Sequence, residues 1–200
     1  GRFVPGEVMV GLVAAFFSEK RGGESIVHDP RLVFNTREVC ETFGAVPVQS
    51  RTGHLFMKQV MREHNAVYGG EISAHHYFRD FFYCDSGMIP WLIVAELLSD
   101  SHKDLGDLVY ERRKQFPSSG EKNFPITDSN SAIRFIEEKY KKDALQIDKE
   151  DGLSILFDNW RFNLRGSNTE PLLRLNVETR GDKPLLEQKL AELTVYLDGF

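Results

Sequence analysis

At 200 residues, with 41% apolar and 28% charged residues, the chain is long enough for one large or two small domains with real cores. Its formal net charge of -5 argues against a dedicated nucleic-acid or membrane-surface role, because such proteins carry basic stripes that neutralise phosphates. Lys141-Lys142 and Arg112-Arg113-Lys114 are too short for that and read as solvated helix faces.

Cys40 and Cys84 belong to no C-x-x-C pair, so neither a zinc cage nor a disulfide framework is expected, and a reducing cytoplasm fits. The start Gly1-Arg2-Phe3-Val4 has no initiator Met and runs straight into a helix, so a fragment is expected. Pro5-Gly6-Glu7 opens that helix, predicted over residues 6 to 20, with an acidic first turn and Glu19-Lys20-Arg21 near its end. Its apolar run, Val8 to Phe17, has about half the length that spans a bilayer and reads as core.

Ser25 to His28 then reads as a buried strand, Asn35 to Glu41 as a capped helix, and Ala45 to Gln49 as a second strand. Thr52 to Glu63 has helical spacing through Leu55, Met57, Val60 and Met61, and Ala66-Val67-Tyr68 is a third strand ending at Gly69-Gly70. Strand and helix alternate, which predicts a parallel or mixed α/β sheet with functional residues on loops at the carboxyl ends of its strands. Aromatic-rich Tyr77 to Tyr83 suits a further strand, and helices are predicted over Met88 to Leu98 and Leu105 to Phe116.

The polar, turn-forming stretch Pro117 to Asn123 marks the expected domain boundary. We expect a three-layer α/β domain over residues 1–118, a linker over 119–126 and a small α+β domain over 127–200. In the latter, Ser131 to Lys142 is an amphipathic helix, while Leu153 to Phe157, Trp160 to Leu164 and Leu172 to Glu178 alternate like strands. Pro184 to Leu197 closes as a helix, so the pattern of helix, three strands and helix predicts an antiparallel sheet.

Three segments carry chemistry. In Gly69-Gly70-Glu71-Ile72-Ser73-Ala74-His75-His76, glycines admit close backbone approach, and Glu71, Ser73 and His75 would project to one side of an extended chain. A carboxylate and a hydroxyl suit sugar hydroxyls, and an imidazole suits a phosphate or a proton transfer. His75 and His76 would point to opposite faces of a strand, which disfavours a shared metal. Asn163 to Pro171, with Arg165, Ser167, Asn168 and Thr169, converges donors on an anion; a plain hairpin turn would also use Gly, Ser and Asn but has no need of the arginine. Ser50-Arg51-Thr52-Gly53-His54 opens a helix, where a cation and free N–H groups could meet a phosphate, although an ordinary helix start would need only Thr52 as cap.

These segments, in this order, resemble the alpha-D-phosphohexomutase superfamily. Gly70 to His75 is similar to that family's sugar-recognition motif and Arg165 to Pro171 to its phosphate-binding motif, while Gly69 to Leu98 and Trp160 to Asp182 resemble its bacterial phosphomannomutase branch. Position 74 is Ala where many relatives have Gly, and position 51 is Arg where many have Lys.

The resemblance implies the third and fourth domains of a four-domain enzyme. The missing domains 1 and 2 would bring a phosphoserine and an aspartate loop for Mg²⁺; no metal ligand is expected in this chain. It further implies Glu71 and Ser73 on sugar hydroxyls, His75 and Arg51 assisting proton transfer, and Arg165, Ser167, Asn168 and Thr169 on the phosphate that is not reacting. Arg51, always protonated, suits an electrostatic clamp better than an acid. The implied reaction interconverts mannose 6-phosphate and mannose 1-phosphate through a hexose 1,6-bisphosphate, the alternatives being a phosphoglucomutase, a phosphoglucosamine mutase or a noncatalytic phosphosugar-binding module. The partners expected are the phosphohexose and domains 1 and 2, with no nucleic acid and no membrane.

Overall fold

The structure is a computed structural model that describes residues 3–167 and 170–200. The chain divides into two compact units, Gly1–Lys114 and Gln115–Phe200.

In the first unit, α1 (Gly6–Lys20), β1 (Ser25–His28), α2 (Phe34–Phe43), β2 (Val46–Gln49), α3 (His54–Glu63) and β3 (Tyr68–Gly70) follow one another. Then come β4 (His76–Phe78), a 3₁₀ turn (Arg79–Phe81), β5 (Cys84–Asp85), α4 (Met88–Ser101) and α5 (Leu105–Gln115). The sheet order is β2-β1-β3-β4-β5. β1 pairs parallel with β2 and β3, whereas β3 pairs antiparallel with β4 and β4 with β5. Connection length explains the mixture: a parallel return needs a crossover of a dozen or more residues, which α2 and α3 supply, while the short turn from β3 to β4 permits only reversal.

Alternation along β1 splits the core. Ile26 packs with Val10, Val13 and Ala14 of α1, Val39 of α2 and Ile93 of α4 on one face of the sheet. Val27 packs with Met57 and Met61 of α3 and with Tyr77 on the other. Helices on both faces make the unit three-layered.

The expected strand Tyr77 to Tyr83 is corrected. β4 stops at Phe78, and Phe82 and Tyr83 take left-handed φ values of 58° and 57°. The chain turns where Arg79 is held by Glu24 at 2.9 Å and by the Asn65 carbonyl at 2.8 Å, so aromatic content marked strand propensity without continuing the strand.

His76 on β4 is buried, shares a 2.7 Å hydrogen bond between Nδ1 and the Tyr68 hydroxyl, and stacks on that ring. Burial pushes its imidazole down to about 4, with Asp85 opposing and His75 adding to the shift. The unfolded chain takes up this proton below about pH 6.5 and the folded one only near pH 4, so stability falls as pH falls through that window. The loss expected is about 3 kcal/mol. Urea denaturation at a series of pH values checks it: His76→Gln should flatten the dependence, and an unchanged slope contradicts the assignment.

The second unit comprises β6 (Lys122–Phe124), α6 (Ser129–Tyr140), β7 (Gln146–Asp148), β8 (Leu153–Leu156), β9 (Trp160–Gly166), β10 (Leu173–Thr179) and α7 (Lys183–Leu197). Its sheet, β6-β10-β9-β8-β7, is antiparallel throughout. Five strands replace the three expected, because β6 and β7 have three residues each, too few for a period-2 pattern to register. β6 falls inside the stretch 119–126 read as a linker.

Asp128 and Asp182 cap α6 and α7 by accepting from the N–H of Ser131 and Leu185. Phe162, Leu164, Leu173, Leu175 and Val177 pack against Ala132, Ile136, Leu186, Leu193 and Leu197 of the two helices. The alternate residues of β9 and β10 carry cross-strand polar pairs on the opposite face: Arg161 with Glu178, Asn163 with Asn176, and Arg165 with Arg174.

Candidate functional site

β1 and β3 run parallel with His28 beside Gly70, so their carboxyl ends deliver neighbouring loops. Gly70 fits there because a Cβ would sit 2.5 Å from the Tyr68 hydroxyl oxygen and 2.8 Å from Val10. Beyond it, residues 71–75 form a turn in which the Glu71 N–H donates to the His75 carbonyl and the Ala74 N–H to the Glu71 carbonyl, both at 3.0 Å. Ala74 is left-handed at φ 68°, a conformation glycine takes without strain. The extended geometry expected for Glu71, Ser73 and His75 is therefore corrected to a turn, imposed by the reversal from β3 to β4.

The three side chains nevertheless line one cavity of about 430 Å³, together with Thr52, Gly53, His54, Lys58, Tyr77 and Asp85. Glu71 is buried. Its Oε1 accepts from the Gly53 N–H at 2.7 Å and its Oε2 from the Tyr77 hydroxyl at 2.8 Å. Burial, reinforced by that carboxylate, pushes the Tyr77 hydroxyl well above its ordinary value, so Tyr77 remains a neutral donor. One carboxylate thus ties the turn to the start of α3.

His75 is half exposed, and its Nδ1 lies 2.7 Å from Asp85 Oδ2, while Asp85 Oδ1 accepts from the His76 N–H at 2.9 Å. Burial raises the Asp85 carboxyl, but the His76 N–H and the His75 ring outweigh it and hold the group below its ordinary range. An ionised Asp85 on Nδ1 favours the proton there and leaves Nε2 as the basic nitrogen. Arg51 does not join this cavity. It is exposed, with its guanidinium 4.4 Å from the Phe56 ring centroid.

Lys58, Tyr77 and Asp85 went unread as site residues; spacing along the chain could have offered the first two, whereas Asp85 joins only through the pairing of β4 with β5. Lys58 lies one helical turn after His54, Tyr77 two residues after His75 on β4, and Asp85 opposite Tyr77 on β5.

In the second unit Arg165 is buried near the end of β9. Its Nη2 lies 3.6 Å from Glu121, which also meets Arg174 Nη1 at 3.6 Å. Arg174 Nη2 donates to Ser167 Oγ at 3.3 Å. Among the described residues, the Nε groups of Arg165 and Arg174 are both buried without a hydrogen-bond partner, donor capacity that an anion would satisfy. Asn168 and Thr169 lie outside the described residues. Arg174 was missed because it reads as an outward strand residue; only the register with Arg165 gives it a role.

In the first unit a buried carboxylate, a hydroxyl and an imidazole line one cavity and suit hydroxyl groups; in the second, Arg165 and Arg174 suit an anion. Residues 5–116 match the family model described as phosphoglucomutase/phosphomannomutase, alpha/beta/alpha domain III, and residues 121–194 match phosphoglucomutase/phosphomannomutase, C-terminal domain. The chain belongs to the phosphoglucomutase/phosphomannomutase family.

It is 53% identical over 198 residues to a phosphomannomutase of Escherichia coli strain K12, covering 99% of this chain and 43% of that protein. It is 53% identical over 199 residues to a protein named phosphohexose mutases from Xanthomonas campestris, covering all of this chain and 44% of that one. A phosphoglucomutase/phosphomannomutase family protein from Burkholderia thailandensis shares the fold, with TM-score 0.82 at 23% identity over 100% of this chain and 42% of that chain. The chain thus spans under half the length of these relatives.

Proposed function

We propose that these residues are the sugar-recognition and phosphate-binding part of a phosphomannomutase interconverting mannose 6-phosphate and mannose 1-phosphate. The observation that carries the reading is the convergence of Glu71, Ser73 and His75 on one cavity, with Asp85 on His75. Residues 1–118 act as the sugar-recognition domain and 127–200 belong to the phosphate-binding domain, a reading supported by the family matches over residues 5–116 and 121–194, the second of which takes in β6 and so most of the stretch 119–126.

A phosphoserine outside this chain gives its phosphoryl group to the free sugar hydroxyl, forming a hexose 1,6-bisphosphate. The other phosphate then returns to the serine. Mg²⁺ would be held by residues outside this chain, as the family resemblance implies, where it would spread charge from the transferring phosphoryl oxygens.

Within the chain, Glu71 and Ser73 bind sugar hydroxyls. His75 takes the proton of the attacking hydroxyl, and Arg51 serves as a peripheral cation. Arg165, Ser167, Asn168 and Thr169, joined by Arg174, hold the phosphate that is not reacting, so that remote binding energy orients the reacting end. The product suits GDP-mannose formation in the cytoplasm.

The full-length protein, supplied with Mg²⁺ and a hexose 1,6-bisphosphate activator, should convert mannose 1-phosphate, and no conversion would refute the reading. Because the Xanthomonas relative is named for phosphohexoses, kcat/KM for glucose and mannose phosphates should be compared in the same assay. Arg174→Ala should raise KM for mannose 1-phosphate by about 10- to 100-fold, the value of one charge-assisted hydrogen bond. An unchanged KM removes Arg174 from the site.

A further inference from the structure

We infer that Asp29 and Arg31 form a positioning pair that sets the Ser73 hydroxyl as a hydrogen-bond donor toward the ligand, an inference resting on the reading of residues 71–75 as the sugar-recognition turn. Asp29 directly follows β1, so the parallel pairing of β1 with β3 brings it beside the turn that follows Gly70. Both side chains are buried, with Asp29 2% and Arg31 5% exposed.

Asp29 Oδ1 accepts from the Arg31 N–H at 2.9 Å. Its Oδ2 accepts from Arg31 Nη2 at 2.6 Å and from the Ile72 N–H at 2.8 Å. The same Nη2 reaches Ser73 Oγ at 3.4 Å. On the far side of Ile72, a Cβ on Gly6 would lie 1.9 Å from the Ile72 carbonyl oxygen. Ile72, the residue before Ser73, is therefore held at its N–H by Asp29 and crowded at its carbonyl by the backbone of α1.

A buried ion pair adds little stability over apolar residues of the same size, so its distinctive product here is direction. Arg31 has donors only, and a hydroxyl that accepts from it keeps its own proton to give elsewhere. Glu71, whose two oxygens both accept, and Ser73, a committed donor, then present opposite hydrogen-bond polarity to neighbouring sugar hydroxyls. Arg31 acts through Ser73 and Asp29 acts through Arg31.

The test is a double-mutant cycle of Arg31→Lys and Ser73→Ala in the full-length protein, reading kcat/KM for mannose 1-phosphate. Lysine keeps the charge and loses the fork. Each single change should lower kcat/KM by about tenfold, and the double variant should fall no further than the worse single, because both remove one contact. Multiplying losses would overturn the inference. The same cycle read by calorimetric binding of mannose 1-phosphate decides the point without turnover, so a silent mutase assay counts against the functional reading alone. In either readout, coupled losses support the pair and independent losses refute it.

Discussion

Glu178→Ala should lower the free energy of unfolding by about 3–5 kcal/mol, the largest stability effect expected from one side chain in the second unit. Arg161 Nη1 and Glu178 Oε1 lie 2.9 Å apart at directly paired positions of β9 and β10, with side chains 4% and 3% exposed. Neither charge reaches water. Removing the carboxylate takes this partner from a guanidinium in a site of low dielectric constant, and most of the cost is the charge compensation lost with it. Replacing both residues by Met should recover much of the loss, since the pair's attraction is largely offset by its desolvation. Urea denaturation of these two variants beside the parent protein checks this, and a loss below about 1 kcal/mol for Glu178→Ala, typical of exposed pairs, would show that water reaches the site.

Glu71→Ala should reduce stability by about 2–5 kcal/mol and lower kcat/KM of the full-length protein by roughly 100-fold or more. The stability loss arises because the Gly53 N–H and the Tyr77 hydroxyl both lose their acceptor. Each buried donor left unmatched costs about 1–3 kcal/mol. The activity loss follows from the ligand side, where a hydrogen-bond acceptor for the sugar disappears. Tyr77→Phe separates the two: in its background Glu71→Ala should cost less stability, because one donor is already gone, while the activity loss should persist. Fully additive stability losses would mean that the Tyr77 contact contributes nothing.

The comparison of sequence with structure turns on range. α3 and α6 were legible because apolar residues recur at helical spacing along each, and α1 because a continuous apolar run follows Pro5-Gly6-Glu7; helical hydrogen bonds are local. β8, β9 and β10 showed their alternation for the same reason. The expected strand Tyr77 to Tyr83 ran past the end of β4 and missed β5, since what ends β4 is a turn held by Arg79 on Glu24, a partner 55 residues away. β6 and β7 went unseen because a three-residue edge strand exists only through its neighbour.

The site divides along the same line. Residue chemistry and glycine placement named Glu71, Ser73, His75, Arg165 and Ser167, because a ligand-binding loop must carry its donors and acceptors in its own sequence. Only the tertiary structure decided that Glu71 is buried against Gly53 and Tyr77, that Asp85 backs His75, that Arg174 stands opposite Arg165, and that Arg51 leans on Phe56 away from the cavity. Those facts depend on which strands are neighbours and on their register, and register is settled by packing across the whole sheet.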